Sequence, residues 1–223
     1  MAPAPFPTDW TTAVILVPHP DDPEYVAAAV AKWVASGRQV SYVLGSRGEA
    51  GIAGMAAEEA ATVREAEQRR AAAIVGVQDV VFWDEPDSNI RNTAALRETI
   101  ARTLTAIKPQ VVVTVFGGAE WAPEVPNQRD HREFAAAVEQ AYDAMIDPPR
   151  WLFVSGVEAT HVEVVDEFID QAVASLAAHE QYLKALDPDT PPAEQAREQL
   201  RHAVPALPDM DGRRVVQFLE LRG

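Results

Sequence analysis

Short, unbroken apolar runs alternate along this chain with longer segments in which apolar residues recur at helical spacing. Runs of this kind have the length of strands that are buried on both faces of a sheet. The predicted strands are Val14–Val17, Val40–Leu44, Val80–Trp83 and Val111–Phe116. The predicted helices are Glu24–Ser36, closed by Gly37, Glu58–Val75, Thr93–Ile107, and one from Asp130-His131 through Met145. This alternation predicts an α/β fold with a mostly parallel sheet and right-handed crossovers.

The pattern beyond about residue 150 is less regular. It predicts strands at Leu152–Ser155, Glu158–Val164 and Val215–Leu221, with helices at Asp166–Leu186 and Ala193–Ala203. No internal repeat or linker divides the sequence before that point. We therefore expect a single domain, 1–223, in which 1–150 form the core and 151–223 complete it.

Composition and charge exclude several classes of function. The chain has 223 residues, 48% of them hydrophobic, and a formal net charge of -15. That charge argues against nucleic-acid binding and against adsorption to anionic membranes, both of which depend on Lys and Arg. No run approaches the ~20 apolar residues that cross a bilayer, and the first ten residues do not resemble a secretory signal. We expect a cytoplasmic protein without stable membrane association.

The polar chemistry is concentrated where two of the predicted strands end. His19, Asp21 and Asp22 follow the first strand, and Asp130-His131 follow the fourth. Because the carboxyl ends of parallel strands lie along one edge of a sheet, we expect these side chains to meet. Two histidines and one aspartate suffice for a catalytic zinc site, and an extra carboxylate beside it can act as the general base. The chain has no cysteine, so thiolate ligands are excluded.

Each motif also has an ordinary structural interpretation when taken alone. The HPDD segment that begins at His19 is compatible with a turn closed by an aspartate side chain. Asp130 before a helix is compatible with an N-cap. His161, His179 and His202 lack a neighbouring motif; we expect His202 at the surface and His179 semi-buried with its hydrogen bonds satisfied.

A loop with three glycines, Gly45–Gly51, follows the second strand, and the acidic turn Asp84–Ser88 follows the third. The glycines permit turns with positive φ or a close backbone approach to a ligand. The spacing is not that of a dinucleotide-binding or phosphate-binding loop, and the first strand leads into prolines and carboxylates. A nicotinamide- or SAM-binding protein is therefore disfavoured.

Seven segments together resemble the PIG-L/LmbE-like family of zinc-dependent N-deacetylases. They are PHPDD at Pro18–Asp22, SRGEAG at Ser46–Gly51, REAEQRRAAAIVGV at Arg64–Val77, EPDS at Glu85–Ser88, RDHRE at Arg129–Glu133, THVEVVD at Thr160–Asp166 and AAHEQ at Ala177–Gln181. The resemblance implies a three-layer, Rossmann-like sandwich with a mostly parallel sheet and a smaller, irregular C-terminal part. It also implies removal of N-acetyl groups from N-acetylglucosamine-containing substrates.

The resemblance assigns His19, Asp22 and His131 as the protein ligands of zinc. It assigns Asp21 as the general base that takes a proton from the metal-bound water. Such an ion would lower the pKa of that water towards ~7 and polarise the amide carbonyl. Iron, cobalt or manganese would also suit nitrogen and oxygen ligands.

The same resemblance assigns two further residues to the substrate: Arg64 is expected to contact the sugar, and Asp87 is expected to provide a polar contact. We also expect Glu49 and Asn127 to bind the substrate. The alternative for Arg64 is an exposed ion pair with Glu67, three residues further along the same helix.

Gln128 departs from the family pattern, in which a histidine often occupies this position. Glutamine can donate a neutral hydrogen bond to an oxyanion but cannot act as a general acid near pH 7. We therefore expect the leaving-group proton to come from Asp21 alone, with Gln128 in the catalytic site as a hydrogen-bond donor.

The function predicted is a zinc-dependent hydrolase acting on a small acetamido sugar or a related amide. Two alternatives stay open: an amidase for a larger N-acyl group or a thiol conjugate, and a non-catalytic protein that binds metal or sugar. The oligomeric state, including a homo-oligomer, is left open.

Overall fold

Most of the predicted apolar runs form strands of the central sheet. In the computed structural model, which describes residues 3–122, 124–156 and 159–223, the strands are β1 Ala4–Pro5, β2 Thr12–Val17, β3 Gln39–Leu44, β4 Asp79–Phe82, β5 Val111–Thr114, β6 Glu120–Ala122, β7 Val125–Pro126, β8 Trp151–Ser155, β9 His161–Val164, β10 Ala206–Leu207 and β11 Arg213–Arg222. The main sheet has the order β1-β9-β11-β8-β5-β2-β3-β4, and β10 pairs with β11. Strands β6 and β7 form a separate antiparallel pair.

Helices cover both faces of this sheet. They are α1 Ala27–Ala35, α2 Ala57–Ile74, α3 Ala94–Ile107, α4 Arg129–Asp143, α5 Ile169–Ala177, α6 Glu180–Leu186 and α7 Pro192–Ala203. None of the helices in the described ranges is long and apolar enough to span a bilayer.

Strand β2 shows why the chain forms three layers. Its side chains alternate, so Ile15 and Val17 join a core with α1 and α5, whereas Val14 and Leu16 join a second core with α3 and α4. All four are buried. Because both faces of β2 are buried, these four residues are all apolar, which accounts for the continuous apolar run in the sequence. The predicted α/β class with a mainly parallel sheet is confirmed.

The site predicted from the motifs lies at the switch point of this sheet. Strand β2 pairs in parallel with β3 on one side and with β5 on the other. The chain therefore leaves β2 and β5 into neighbouring loops at the carboxyl edge, which is where open α/β sheets place ligands. The order of the strands therefore determines where the site lies.

Local differences from the prediction occur where turns tighten. The helix expected from Glu24 begins as a 3-10 turn, Asp22–Val26, before α1. Pro23 fixes φ and has no N–H, so it suits such a first turn. The helix ends as predicted, because Gly37 takes φ +88°. The strand predicted to reach Phe116 ends at Thr114.

The C-terminal part differs more. The single helix predicted over Asp166–Leu186 is wrong: a 3-10 turn, α5 and α6 replace it, with a break at His179. The carboxylate of Glu67 accepts from the N–H of Gln181 at 2.6 Å, so it replaces an intrahelical bond at the start of α6. Of the strand predicted at Glu158–Val164, the part from His161 forms β9, and positions 157 and 158 lie outside the described residues.

Candidate active site

The loop after β2 holds its side chains in an unusual backbone conformation. Asp21 has φ 86° and ψ -29°, in the left-handed region that non-glycine residues seldom occupy. Its N–H donates to Gln68 Oε1 of α2 at 2.9 Å. Such a conformation costs about 1–3 kcal/mol and persists only when neighbours enforce it. Here it turns adjacent carboxylates, Asp21 and Asp22, towards different partners.

The three residues predicted as metal ligands meet. His19, Asp22 and His131 each offer one donor atom, and these atoms lie within 4.8 Å of one another. Asp22 Oδ1 is 3.1 Å from His131 Nε2, and Asp22 Oδ2 is 3.4 Å from His19 Nδ1. Asp22 Oδ2 also accepts from the backbone N–H of His19 at 2.9 Å, which fixes the carboxylate.

The donor set fits a divalent transition metal. His131 is 3% exposed, and among the described residues neither of its ring nitrogens has a hydrogen-bond partner, although Nε2 lies beside Asp22. A buried polar group without a partner is costly unless something else binds it. Two imidazoles and one carboxylate form the open, three-ligand set that catalytic zinc uses. We infer that His131 is placed for a cation.

Asp22 is suited to stay ionised in this position. Burial by itself would raise its pKa, but the His131 and His19 imidazoles outweigh burial and hold the pKa of Asp22 well below its usual value. An ionised carboxylate is the form that coordinates a metal.

The second nitrogen of His19 is held by another carboxylate. His19 Nε2 is 3.2 Å from Asp130 Oδ2, and Asp130 Oδ1 accepts from the N–H of Ile90 at 3.2 Å. Burial alone would lower the pKa of His19, but the hydrogen bonds to Asp130 and Asp22 raise it to about 10. The alternative interpretation of Asp130 as an N-cap is wrong, because Gln128 is the N-cap of α4. Asp130 instead orients His19, with Nδ1 on the side of the other candidate ligands.

Replacing Asp130 with Asn should weaken zinc binding about 10- to 100-fold, the usual effect of losing an outer carboxylate behind a ligating histidine. The neutral amide would no longer polarise the His19 ring. The zinc Kd would be measured by competition with a chelator. Glu133→Gln is the matched control, because Glu133 is also on α4 and accepts a backbone N–H, from Asn92 at 2.9 Å, without a hydrogen bond to His19. An equal loss of affinity in both variants would contradict the orienting role.

Asp21 is paired with Arg64, 43 residues away in the sequence. Arg64 Nη2 donates to Asp21 Oδ1 at 2.6 Å and also to the carbonyl of Pro20. Burial raises the pKa of the Asp21 carboxyl to about 6, although the Arg64 guanidinium opposes this shift. A carboxylate with a pKa close to neutral is suited to accept and return a proton.

The alternative that Arg64 forms an exposed pair with Glu67 is wrong. The side chain of Arg64 is 3% exposed and points to Asp21. The glycines of the loop after β3 allow this: a Cβ at Gly51 would lie 2.1 Å from Arg64 Nη1, and one at Gly48 would lie 2.9 Å from its Cδ. The close backbone approach predicted for these glycines is therefore to a side chain of the protein itself.

Behind Asp21 lies a buried polar network that the sequence did not indicate. Gln68 Nε2 donates to Glu24 Oε1 at 3.0 Å, and Ser175 Oγ donates to the same oxygen at 3.3 Å. His179 is fully buried with Nε2 3.7 Å from Glu24 Oε1. No hydrogen-bond partner for either His179 ring nitrogen occurs in the described part of the chain, so the expectation of a semi-buried, satisfied histidine is wrong.

Asp87 and Glu49 link the loops after β3 and β4 by hydrogen bonds. Asp87 Oδ1 is 3.3 Å from His19 Nε2, and Asp87 Oδ2 accepts from the N–H of Ala50 at 2.8 Å. Glu49 Oε1 in turn accepts from the N–H of Asp87 at 2.8 Å. Both acidic residues are thus near the site and hold the loops after β3 and β4 together, and their contact with substrate stays a prediction.

Asn127 and Gln128 occupy different positions although they are neighbours. The amide nitrogen of Asn127 donates to the carbonyls of Phe116 and Gly118 at 2.7 and 2.9 Å, so this side chain fixes the loop after β5. Gln128 is the N-cap of α4 and lines the site cavity. The predicted substrate contact of Asn127 is untested.

A cavity of about 520 Å³ opens over these groups. Its lining includes Asp21, Asp22, Gln128 and His131. Three aromatic residues that the sequence analysis did not select also line it: Tyr25, Trp121 and Tyr182. The Trp121 ring packs edge-on against His131 with centroids 5.5 Å apart, and the Arg64 guanidinium lies 3.8 Å from the centre of Tyr182. One feature of the sequence could have indicated Trp121: it is an aromatic residue in the loop that leads to His131.

His202 was predicted at the surface, and its side chain is 76% exposed at the rim of this cavity. His161 lies in β9 with Nε2 3.4 Å from Glu220, away from the metal ligands. Both histidines are therefore outside the candidate metal set.

Comparison with known proteins gives one match to a family model. The family described as PIG-L, GlcNAc-PI de-N-acetylase, matches residues 14–142. This segment contains the loop after β2, Arg64 and the DH pair on α4. No curated protein matches the sequence.

Solved structures with this architecture include three that carry reaction names. N,N'-diacetylchitobiose deacetylase from Pyrococcus horikoshii has a TM-score of 0.76 at 18% identity, over 96% of this chain and 84% of that one. The A40926 pseudoaglycone deacetylase Dbv21 has a TM-score of 0.69 at 19% identity, over 96% of this chain and 100% of that one. The 4-carboxy-2-hydroxymuconate hydratase GalB from Pseudomonas putida also has a TM-score of 0.69, at 15% identity over 96% and 97% of the two chains. At these identities the matches show the fold, which deacetylases share with a hydratase.

Proposed function

The chain belongs to the PIG-L family, and from this premise we propose that it is a zinc-dependent N-deacetylase acting on an N-acetylglucosamine-containing or related acetamido substrate. One observation carries the proposal. At the β2–β5 switch point, two histidines and an aspartate converge beside a separate carboxylate, Asp21, and Asp21, Asp22 and His131 line the same cavity. That arrangement suits hydrolysis of an amide by water.

His19, Asp22 and His131 would hold the zinc. When bound, the ion would polarise the amide carbonyl and make a water molecule acidic enough to attack near neutral pH. Asp21 would accept a proton from the attacking water, because the Arg64 guanidinium beside it favours the ionised form of its carboxylate. It then returns the proton to the departing amine, and Arg64 holds its carboxylate in position throughout.

Gln128 has the position and chemistry of a neutral donor. It lines the cavity with His131, and its amide N–H is a donor for the developing negative charge on the carbonyl oxygen. Because an amide does not ionise near pH 7, proton return is assigned to Asp21 alone.

The experiment that tests this function measures both products. The zinc-loaded protein would be incubated with N-acetylglucosamine, its methyl glycoside and N-acetylated chito-oligosaccharides, and also with N-propionyl and N-butyryl glucosamine. We expect equimolar acetate and free amine from at least one N-acetyl substrate, stopped by a chelator and restored by zinc. Faster release of the larger acyl groups would favour an amidase, and a metal-loaded protein that binds these sugars without releasing amine would contradict catalysis.

Replacing Arg64 with Met should move the acidic limb of the kcat/KM profile to higher pH. The guanidinium favours the ionised form of Asp21, so its loss raises the pKa of Asp21, by at least about 1 unit for a contact this close. Activity then appears only at a higher pH than in the original protein. The conservative variant Arg64→Lys should shift the limb less, because it retains a charge. An Arg64→Met profile with an unmoved limb and a uniformly lower rate would contradict this link.

A further inference from the structure

The lining of the site cavity is polar but almost free of formal charge. Its wall comes from the 3-10 turn before α1, the loop after β5, α6, α7 and β11. The side chains they contribute include the His202 imidazole at the rim, three aromatic rings and three amides; the rings and amides belong to Tyr25, Trp121, Tyr182, Gln128, Gln199 and Gln217. The Tyr25 hydroxyl donates to Gln199 Oε1 at 3.1 Å, so the Gln199 amide nitrogen is left as a neutral donor. Such a wall offers apolar faces and uncharged hydrogen bonds.

The charged groups that do line the cavity are carboxylates. They are Asp21 and Asp22, and no lysine or arginine lines the cavity within the described residues. The positions left out of that description, 1, 2, 123, 157 and 158, hold Met, Ala, Pro, Val and Glu, so their side chains add no cation. Directly behind the floor, Asp87 and Asp130 add two more acidic groups beside His19.

Arg64 does not line the cavity, but its guanidinium contacts two residues that do, Asp21 and Tyr182. Arg64 donates to Asp21 and to the Pro20 carbonyl, and its remaining face is stacked on Tyr182. Arg201, which follows Leu200 and precedes His202 on α7, is paired with Glu198. The two positive charges of a bound zinc and the one of Arg64 would still be fewer than the four carboxylates. Phosphate groups are normally held by arginine, lysine or a cluster of backbone N–H groups, and the wall supplies neutral donors instead.

We propose that the cavity selects uncharged acetamido sugars and discriminates against those that carry a phosphate, phosphoinositide headgroups included. This inference rests on the proposed deacetylase function and adds the charge class of its substrate. The acetamido sugar would lie against the aromatic faces, and its hydroxyl groups would bind the glutamine amides. A phosphate placed against this wall would meet neutral donors, since no lysine or arginine lines the cavity in the described part of the chain.

Matched substrates test the proposal. N-acetylglucosamine would be compared with its 6-phosphate, and methyl N-acetylglucosaminide with N-acetylglucosamine 1-phosphate, by amine release from the zinc-loaded protein. We expect kcat/KM to be at least about tenfold lower for each phosphate at low ionic strength, since like charges at an enclosed site repel across a Debye length of ~30 Å at 0.01 M salt. Equal or better turnover of the phosphates would overturn the proposal.

Ionic strength separates charge from size. Raising salt to 1 M shortens the Debye length to ~3 Å, so the rate for the phosphorylated sugars should rise towards that of the neutral ones. A penalty that neither salt nor a lysine placed in the wall reduces would be steric and would contradict selection by charge.

A pair of variants gives an independent test. Gln217→Lys introduces a cation into the wall, and Gln217→Met introduces a side chain of similar length without charge. The ratio of kcat/KM for phosphate over neutral substrate should be at least about fivefold higher in Gln217→Lys than in Gln217→Met, an effect of roughly 1 kcal/mol by the tenfold-per-1.4 kcal/mol rule. The same ratio in both variants would count against the proposal.

Binding distinguishes failure of this inference from failure of the proposed function. If no substrate of the panel releases amine, calorimetry of the zinc-loaded protein with N-acetylglucosamine and its 6-phosphate still gives a Kd ratio. A neutral sugar that binds at least about tenfold more tightly supports charge selection even though the deacetylase assignment has failed. Equal affinities overturn charge selection whatever the reaction.

Discussion

The Asp21→Asn variant should retain its zinc and lose at least about 100-fold in kcat, which is the lower range of what a general base contributes. The amide cannot accept the proton of the attacking water or return it to the leaving amine. Asparagine tolerates the left-handed region as aspartate does, so the φ of 86° at this position should survive the substitution. Zinc content by mass spectrometry of the native protein and amine release from the same sample would be measured together.

The control for Asp21→Asn is Asp84→Asn. Asp84 is an exposed aspartate in the loop after β4, at the same edge of the sheet, and it does not line the cavity. The Asp84→Asn substitution removes the same charge and leaves the proposed base, Asp21, unchanged. A variant of Asp21 that turns over at near the original rate, or one that loses zinc as well as activity, would contradict a base that is distinct from the ligands.

The His131→Ala variant should lose stoichiometric zinc after dialysis and lose activity with it. His131 supplies one of the three candidate ligands, and its buried ring nitrogens have no hydrogen-bond partner among the described residues. Removing it leaves one imidazole and one carboxylate, which is too few for a catalytic site that also keeps a position open for water. Metal analysis after exhaustive dialysis measures the effect.

Two companion variants make the His131 result interpretable. His131→Gln keeps most of the side-chain volume of a residue that is 3% exposed, so retained folding with lost zinc would separate ligation from packing. His202→Ala removes another histidine from the same cavity, one that is largely exposed, and should keep its zinc. Retention of one zinc per chain by the His131 variants would show that the metal is held elsewhere.

The parts of the fold that follow from local patterns could be predicted from the sequence. Val14–Val17 is apolar on both faces because both faces are buried, so the run identifies β2 as a central strand. The placement of His19 and His131 followed from one rule, that parallel strands end at one edge. Their approach needed only that β2 and β5 be neighbours, which they are.

Strand pairings between distant short segments could not be predicted in the same way. Strand β1 pairs with β9 through Ala4 and Pro5, and a strand of two residues has no periodicity to detect. Strand β11 inserts antiparallel between β8 and β9, an order set by tertiary packing.

Arg64 shows why the details of the site also exceeded the sequence. Glu67 lies three residues after Arg64 on the same helix, so an ion pair between the two was one interpretation of the sequence. Its actual partners, Asp21 and the glycines after β3, are brought to it by the sheet. Contacts of this kind depend on where loops cross, which no local pattern encodes.

Because a hydratase has the same fold, the fold alone does not identify the reaction. The reaction must be identified from the site and from the products. A hydratase adds water without releasing an amine, whereas the arrangement of Asp21 beside His19, Asp22 and His131 is suited to water attack followed by proton return to nitrogen. The equimolar release of acetate and amine is therefore the property that separates the two reaction classes.

The most direct measurement is a zinc titration of the metal-depleted protein, with the rate of amine release from an N-acetylglucosaminide followed at each addition. The expected result is no turnover without metal and a rate that rises linearly to its maximum at one zinc per chain. Turnover by the metal-depleted protein at the same rate, or one bound zinc per chain with no amine released from any acetamido substrate, would contradict it.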